Sequence, residues 1–298
     1  MFDKPILVGL TDKHRSDNAL RMGRLLAARF GVQLQVVHAV RERDLLTGNV
    51  AEGKQAVAEA HLLNAVRATV TAHMAELDAT GGQHGAPEYL QVRTGHPAEV
   101  LIGQAEELGA ELLLLGSHLR RGFIDFGSTA RAVLTHAPCA VWVQVDKPVP
   151  VRRILAPLDF SEDSLHALDV ACELGARLGA TVTVLHCFVP PDFAYTPRTD
   201  STMPTYVVDD QRRLARERLE AVVASKASKD VAVEADFLEG EPVSTLLARR
   251  RDTDLIVMAT HGRGAVSATV LGSVTYAVLR ESEVPVVAVR HPTRVKGS

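Results

Sequence analysis

Short runs that are apolar at every position recur along this chain, and polar, amphipathic stretches separate them. Leu112–Leu115 and Leu255–Met258 do not alternate with polar residues, as the strands of a half-exposed sheet would. Uniform runs suit parallel strands covered by helices on both faces. In the second half the pattern predicts strands over Arg153–Leu158, Thr181–Phe188, Val231–Leu238, Asp254–Thr260 and Pro285–Arg290. Helices are predicted over Glu162–Leu178, Tyr206–Ser228, Val243–Arg251 and Ser273–Glu281, and a proline-bearing loop over Val189–Thr205. The alternation βαβαβαβαβ implies right-handed crossovers and a doubly wound α/β fold.

The chain repeats itself. Pro5–Leu10 aligns with Arg153–Leu158, and Gly31–His38 with Gly179–His186, at the same spacing along the chain. Further on, Gly95-His96-Pro97 aligns with Gly240-Glu241-Pro242, Leu113–His118 with Ile256–His261, and Gly127-Ser128 with Gly272-Ser273. The order holds throughout, so a tandem duplication is the reading. Asp146-Lys147-Pro148-Val149-Pro150 reads as the linker, since two prolines resist both helix and sheet. Domains over 1–147 and 151–292 are expected, each a five-stranded parallel sheet of order 3-2-1-4-5 and Rossmann-like.

Ligands of such sheets bind beyond the carboxyl ends of the strands where the order reverses, here between the first and fourth. The unusual residues of the second half follow those two strands. After the first comes Asp159, an acceptor suited to a ribose hydroxyl. Its plainer role is to organise, with Ser161, a turn and a helix cap. After the fourth comes Ala259-Thr260-His261-Gly262, and nine residues later Gly272-Ser273-Val274-Thr275 opens a helix. A helix N-terminus offers unpaired N–H groups and the positive end of its dipole to an anion. Gly262 and Gly272 leave the backbone bare for a phosphate. Ser273 and Thr275 offer hydroxyls, and Arg263 offers charge. A plain loop and a helix capped by Ser273 is the alternative.

Composition narrows the function. A net charge of −3 over 298 residues argues against a nucleic-acid footprint. No apolar run reaches the roughly 20 residues that span a bilayer. Asp3 and Lys4 lead straight into Ile6-Leu7-Val8, unlike a secretory leader, and Cys139, Cys172 and Cys187 form no CxxC or metal spacing. A cytoplasmic protein with structural thiols is the expectation. Gly262-Arg263-Gly264 falls short of a dinucleotide fingerprint because Ser267 stands at the third glycine position. The sequence holds no GxxxxGK[ST], no HExxH and no GxSxG elbow. His38 and His186 end equivalent strands and read as structural residues.

These residues resemble the universal stress protein family. Its nucleotide-binding members carry Gly-x-x-Gly, nine residues, then Gly-Ser/Thr, with an aspartate after the first strand. The second half matches at Asp159, Gly262, Gly272 and Ser273 and departs at Ala259, where the family has glycine. The resemblance implies ATP, ADP or AMP, with magnesium, in domain 2. Asp159 would hold the ribose, Gly262 and Gly272–Thr275 the phosphates, and Ala259–His261 would touch the nucleoside. Domain 1 departs further. Thr11 stands at the aspartate position and Leu119 at the glycine, only seven residues before Gly127, so its site is expected to be degenerate. The resemblance also implies an internal pseudo-dimer through Val141-Trp142-Val143 and Val286–Val289, is compatible with a homodimer, and leaves the protein partner unknown. The expected function is a stress-response sensor or regulator that binds a nucleotide and is no efficient catalyst. A weak ATPase or phosphotransferase, and a sensor of some other ligand or partner, are the alternatives.

Overall fold

In a computed structural model, which describes residues 2–11, 16–41, 52–79, 88–116, 127–190, 205–262 and 270–295, the uniform apolar runs are buried strands of parallel sheets. Contacts divide the chain into Met1–Pro148 together with Pro292–Ser298, and Val149–His291.

The first unit runs β1 (Ile6–Leu10), α1 (Asp17–Phe30), β2 (Leu34–Val40), α2 (Glu52–Ala79), β3 (Glu88–Thr94), α3 (Pro97–Leu108), β4 (Leu112–Gly116), α4 (Ser128–His136) and β5 (Ala140–Gln144). The second runs β6 (Arg153–Pro157), α5 (Glu162–Leu178), β7 (Thr181–Phe188), α6 (Thr205–Lys226), β8 (Val233–Glu239), α7 (Pro242–Ala248), a 3-10 turn (Arg249–Asp252), β9 (Leu255–Ala259), α8 (Ser273–Glu281) and β10 (Val286–Val289). All the pairings within each unit are parallel. They give β3-β2-β1-β4-β5 in the first unit and β8-β7-β6-β9-β10 in the second. Both are the expected order, with the reversal between first and fourth strands. Every residue of β1 and β9 is buried, whereas β3 and β8 mix exposed and half-buried positions. β5 and β10 are fully buried too, so uniform apolarity marks buried strands wherever they lie in the order, and mixed composition marks β3 and β8.

The duplication extends to the caps. Gly31 and Gly179 end α1 and α5 in the left-handed region, each at φ 70°. Among the described residues, the two units differ most where a cavity or a charge is at stake. In the first unit Arg24, only 2% exposed, reaches from α1 to the start of β3. Its Nε and Nη2 donate to the Glu88 carboxylate at 3.0 and 3.1 Å, and Nη2 also donates to the Met74 carbonyl of α2 at 3.2 Å. At the matching position of the second unit stands Cys172.

The helix expected over Val243–Arg251 tightens after Ala248 into the 3-10 turn. The Arg249 N–H shares the Leu246 and Leu247 carbonyls, and Thr253 is extended, so the chain is redirected within a few residues into β9. At its other end Gly240, at φ 146°, lets Glu241 sit as the cap before Pro242. The Glu241 carboxylate accepts the N–H groups of Val243 and Ser244 at 2.9 and 2.8 Å, and these bonds hold its pKa below the usual range. A depressed pKa means stability gained above the unfolded carboxylate value and lost as pH falls through the folded one. Glu241→Ala should therefore cost about 0.5–1 kcal/mol at neutral pH. The difference should vanish below the carboxylate range, as read by denaturant unfolding at several pH values. An equal cost at low pH would rule out the charged cap.

Among the described residues no helix is long and apolar enough to cross a membrane. Residues 191–204 of the expected Val189–Thr205 loop, the Leu119 position and Arg263 lie outside the described residues.

Candidate functional site

The carboxyl ends of β6 and β9 open on a cavity of about 740 Å³ in the second unit, within the size range of small-molecule sites. Pro157, Leu158 and Asp159 line it from β6 and its turn, Leu185, His186 and Cys187 from β7, and Met258, Ala259, His261 and Gly262 from β9 and its loop. Pro242 and Leu246 of α7 and Val270–Tyr276, leading into α8, complete the described wall, with Ser164 of α5.

The turn after β6 is tightly tied. Asp159 Oδ1 accepts the backbone N–H and the hydroxyl of Ser161 at 3.0 and 2.5 Å, while Ser161 Oγ caps α5 by accepting the Ser164 N–H at 3.2 Å. The plainer role of Asp159 is thus real, and the same residue lines the cavity. Phe160 between them takes φ 63°, a conformation that costs a non-glycine residue about 1 kcal/mol or more. His186 Nδ1 lies 2.7 Å from the Leu158 carbonyl. A carbonyl only accepts, so Nδ1 carries the proton. His38 makes the same bond to Leu10 at 3.0 Å, and both histidines are buried. They brace strand ends, as their positions suggested.

The loop after β9 is tied to α8. Gly272 N–H donates to the Thr260 carbonyl at 2.8 Å, and the Thr275 hydroxyl donates to the Ala259 carbonyl at 2.7 Å. Thr275 lines the cavity. Its hydroxyl is committed to the backbone and holds the loop to the helix. Thr260 is turned away: it is 1% exposed, its hydroxyl meets His261 Nδ1 at 2.9 Å, and it is not part of the described wall.

Both glycines of the motif sit at close approaches. A Cβ on Gly262 would lie 2.7 Å from Asp159 Oδ2, and one on Gly272 would lie 3.1 Å from the Thr260 carbonyl oxygen. Gly272 caps α8 without a side-chain bond, whereas α5 is capped by Ser161 and α7 by Glu241. The first turn of α8 therefore presents bare N–H groups at the cavity, where the dipole favours an anion. Ser273 was the alternative cap, but it lies inside the helix and cannot fill that role. In the first unit Gly127 caps α4 in the same way, but Thr11 stands at the aspartate position, its N–H donating to Ser16 Oγ at 2.8 Å.

Asp159 is the one carboxylate among the described lining residues. No group of three or more metal-ligating side chains occurs among the described residues. Burial pushes the Cys187 thiol on the wall up to about 11, against the pull of the Thr245 hydroxyl, so at neutral pH it is held as the protonated thiol. Burial also raises Cys139 to about 12 and Cys172 to about 11. At neutral pH a thiol reagent should label the native protein about a hundredfold or more slower than a free cysteine. Labelling of any of the three at the free rate would contradict this.

Pro242, Leu246, His186 and Cys187 were not singled out as site residues. Helical spacing around Leu246 signals only an apolar face, and nothing local says which cavity that face meets.

A model of the universal stress protein family matches residues 3–144 and again 150–290. A universal stress protein of Mycolicibacterium smegmatis is 26% identical over 293 residues, covering 96% of each chain. One of Mycobacterium tuberculosis is 27% identical over 307 residues, again 96% of each. The crystal structure of a universal stress protein from Archaeoglobus fulgidus superposes with a TM-score of 0.70 at 20% identity, covering 97% of this chain and 99% of that one.

Proposed function

Since the chain belongs to the universal stress protein family, with two such domains in tandem, we propose that its second domain binds an adenine nucleotide of the ATP type and acts as a sensor or regulator. One observation carries this reading. The helix end left without a side-chain cap, Gly272 of α8, faces the same cavity as Asp159, across the point where the strand order reverses. The bare N–H groups of Ser273 and Val274 suit phosphate oxygens. Asp159, whose Oδ1 is tied to Ser161, brings its carboxylate to the cavity wall, where a ribose hydroxyl can donate to it. The apolar wall of Leu185, Met258 and Leu246 suits a base. A magnesium ion would be held chiefly by the phosphates it arrives with, since such ions need only one or two protein carboxylates. Phosphoryl transfer demands metal, positioning and charge stabilisation together, and the described wall offers a single carboxylate already tied into a turn. Binding with a conformational output is therefore the proposed role, in preference to turnover. With Thr11 in place of the aspartate, the first domain is assigned no nucleotide.

Calorimetric titration of ATP with magnesium into nucleotide-stripped protein tests the reading. Saturable binding near one per chain is expected. No heat, together with no gain in melting temperature from millimolar ATP, would overturn it.

A further inference from the structure

The turn that carries Asp159 is gripped by its neighbours. Phe160, at φ 63°, is buried and is not one of the described residues that line the cavity. The ring lies 4.5 Å from that of His186, and the Arg218 guanidinium of α6 sits over it, 4.5 Å from its centroid. His186 in turn holds the Leu158 carbonyl and lies 5.7 Å from the ring of Phe237 on β8. The residues on both sides of Asp159 are thus fixed, one by a hydrogen bond and the other by an aromatic and cationic clamp. Among the described residues the first unit keeps the histidine and shows no such clamp. The β2–β3 register sets Val92 opposite His38, whereas β7–β8 sets Phe237 opposite His186. Asp12 occupies the position of Phe160, next to Thr11. Ring layer and aspartate occur together in one domain and are missing together from the other.

We propose that Phe160, clamped between His186 and Arg218, is a positioning residue that aims the Asp159 carboxylate at the ribose hydroxyls, so that sugar selectivity depends on Phe160 and Arg218, which are not part of the described cavity wall. This rests on the adenine-nucleotide reading above. The strained φ is what turns the ring under α6 while the preceding carboxylate stays at the cavity. Glycine at 160 would accept that φ but release the segment, letting the carboxylate wander without disturbing the α8 end of the site.

The test compares ATP with 2′,3′-dideoxy-ATP, each with magnesium, on the full chain. Wild type should prefer ATP by about ten- to a hundredfold, the worth of hydrogen bonds to a charged acceptor. In Phe160→Gly the preference should fall below about threefold while affinity for the dideoxy compound stays within about twofold, since only the sugar contact is affected. Phe160→Tyr should restore it. Arg218 is exposed, so Arg218→Gln leaves no core void and should cut the preference several-fold even if Phe160→Gly fails to fold. An unchanged preference in Arg218→Gln and in folded Phe160→Gly overturns the clamp and leaves the nucleotide reading intact. So does a wild type that binds both compounds equally. A wild type that binds neither overturns the nucleotide reading, and the clamp with it.

Discussion

Gly272→Asp is expected to abolish nucleotide binding without lowering the melting temperature. Gly272 has φ −58° and ψ 143°, an extended backbone that any residue adopts. Aspartate is among the best helix caps, worth a few tenths of a kcal/mol over glycine. The added Cβ would stand 3.1 Å from the Thr260 carbonyl, so the loop must yield slightly, roughly offsetting that gain. Binding suffers twice. The new carboxylate takes the N–H groups of the first turn for itself, and it sets a negative charge where phosphate is to lie. At about 5 Å and an effective dielectric near 20, that repulsion is about 3 kcal/mol, or roughly two orders of magnitude in affinity. Titration beside a thermal melt reads both effects. Retained binding would show that phosphate does not meet α8, and a collapsed melt would make the variant a folding defect.

Arg24→Ala should destabilise the first domain by about 3 kcal/mol or more, the cost of breaking a buried ion pair. The guanidinium ties α1 to β3 and α2 at once, and its removal leaves Glu88, 21% exposed, facing a void. Arg24→Met in a Glu88→Leu background should recover most of the loss, because the cost lies in the stranded charge rather than in the missing attraction. Chemical denaturation of the three proteins measures this, with an unchanged transition of the second domain as the control. A single variant as stable as wild type would show that the pair contributes nothing.

Much of this architecture is legible in the sequence because burial on both faces leaves no polar positions in a strand. Leu255–Met258 reads as a buried strand, and the repeat set which strand of the other half it matched. The site was legible where it uses backbone, since glycines at 262 and 272 announce close approach. It was obscured where one side chain has two candidate partners. Nothing in Thr275 distinguishes a hydroxyl facing phosphate from one tied to the Ala259 carbonyl. That choice follows from the 2.7 Å approach of loop and helix, which only the folded chain sets. Phe160 gave no signal either, because a left-handed φ is expected of glycine or asparagine. The break in α7 at Arg249 arises from where β9 must begin, a demand external to the helix's own residues.

The contact between Gly262 and the Asp159 carboxylate makes the two positions epistatic. A side chain at 262 meets the Asp159 carboxylate, so a change there is better tolerated once Asp159 is lost. The chain contains the counterpart of that rule. Its first half has Leu119 at the glycine position and Thr11 at the aspartate position, so both members of the pair are changed together. In a mutational library of the second domain, tolerated replacements at 262 should cluster on backgrounds that have lost Asp159, and covariation between the two would mark which copies of this domain keep the pairing of a glycine with the carboxylate.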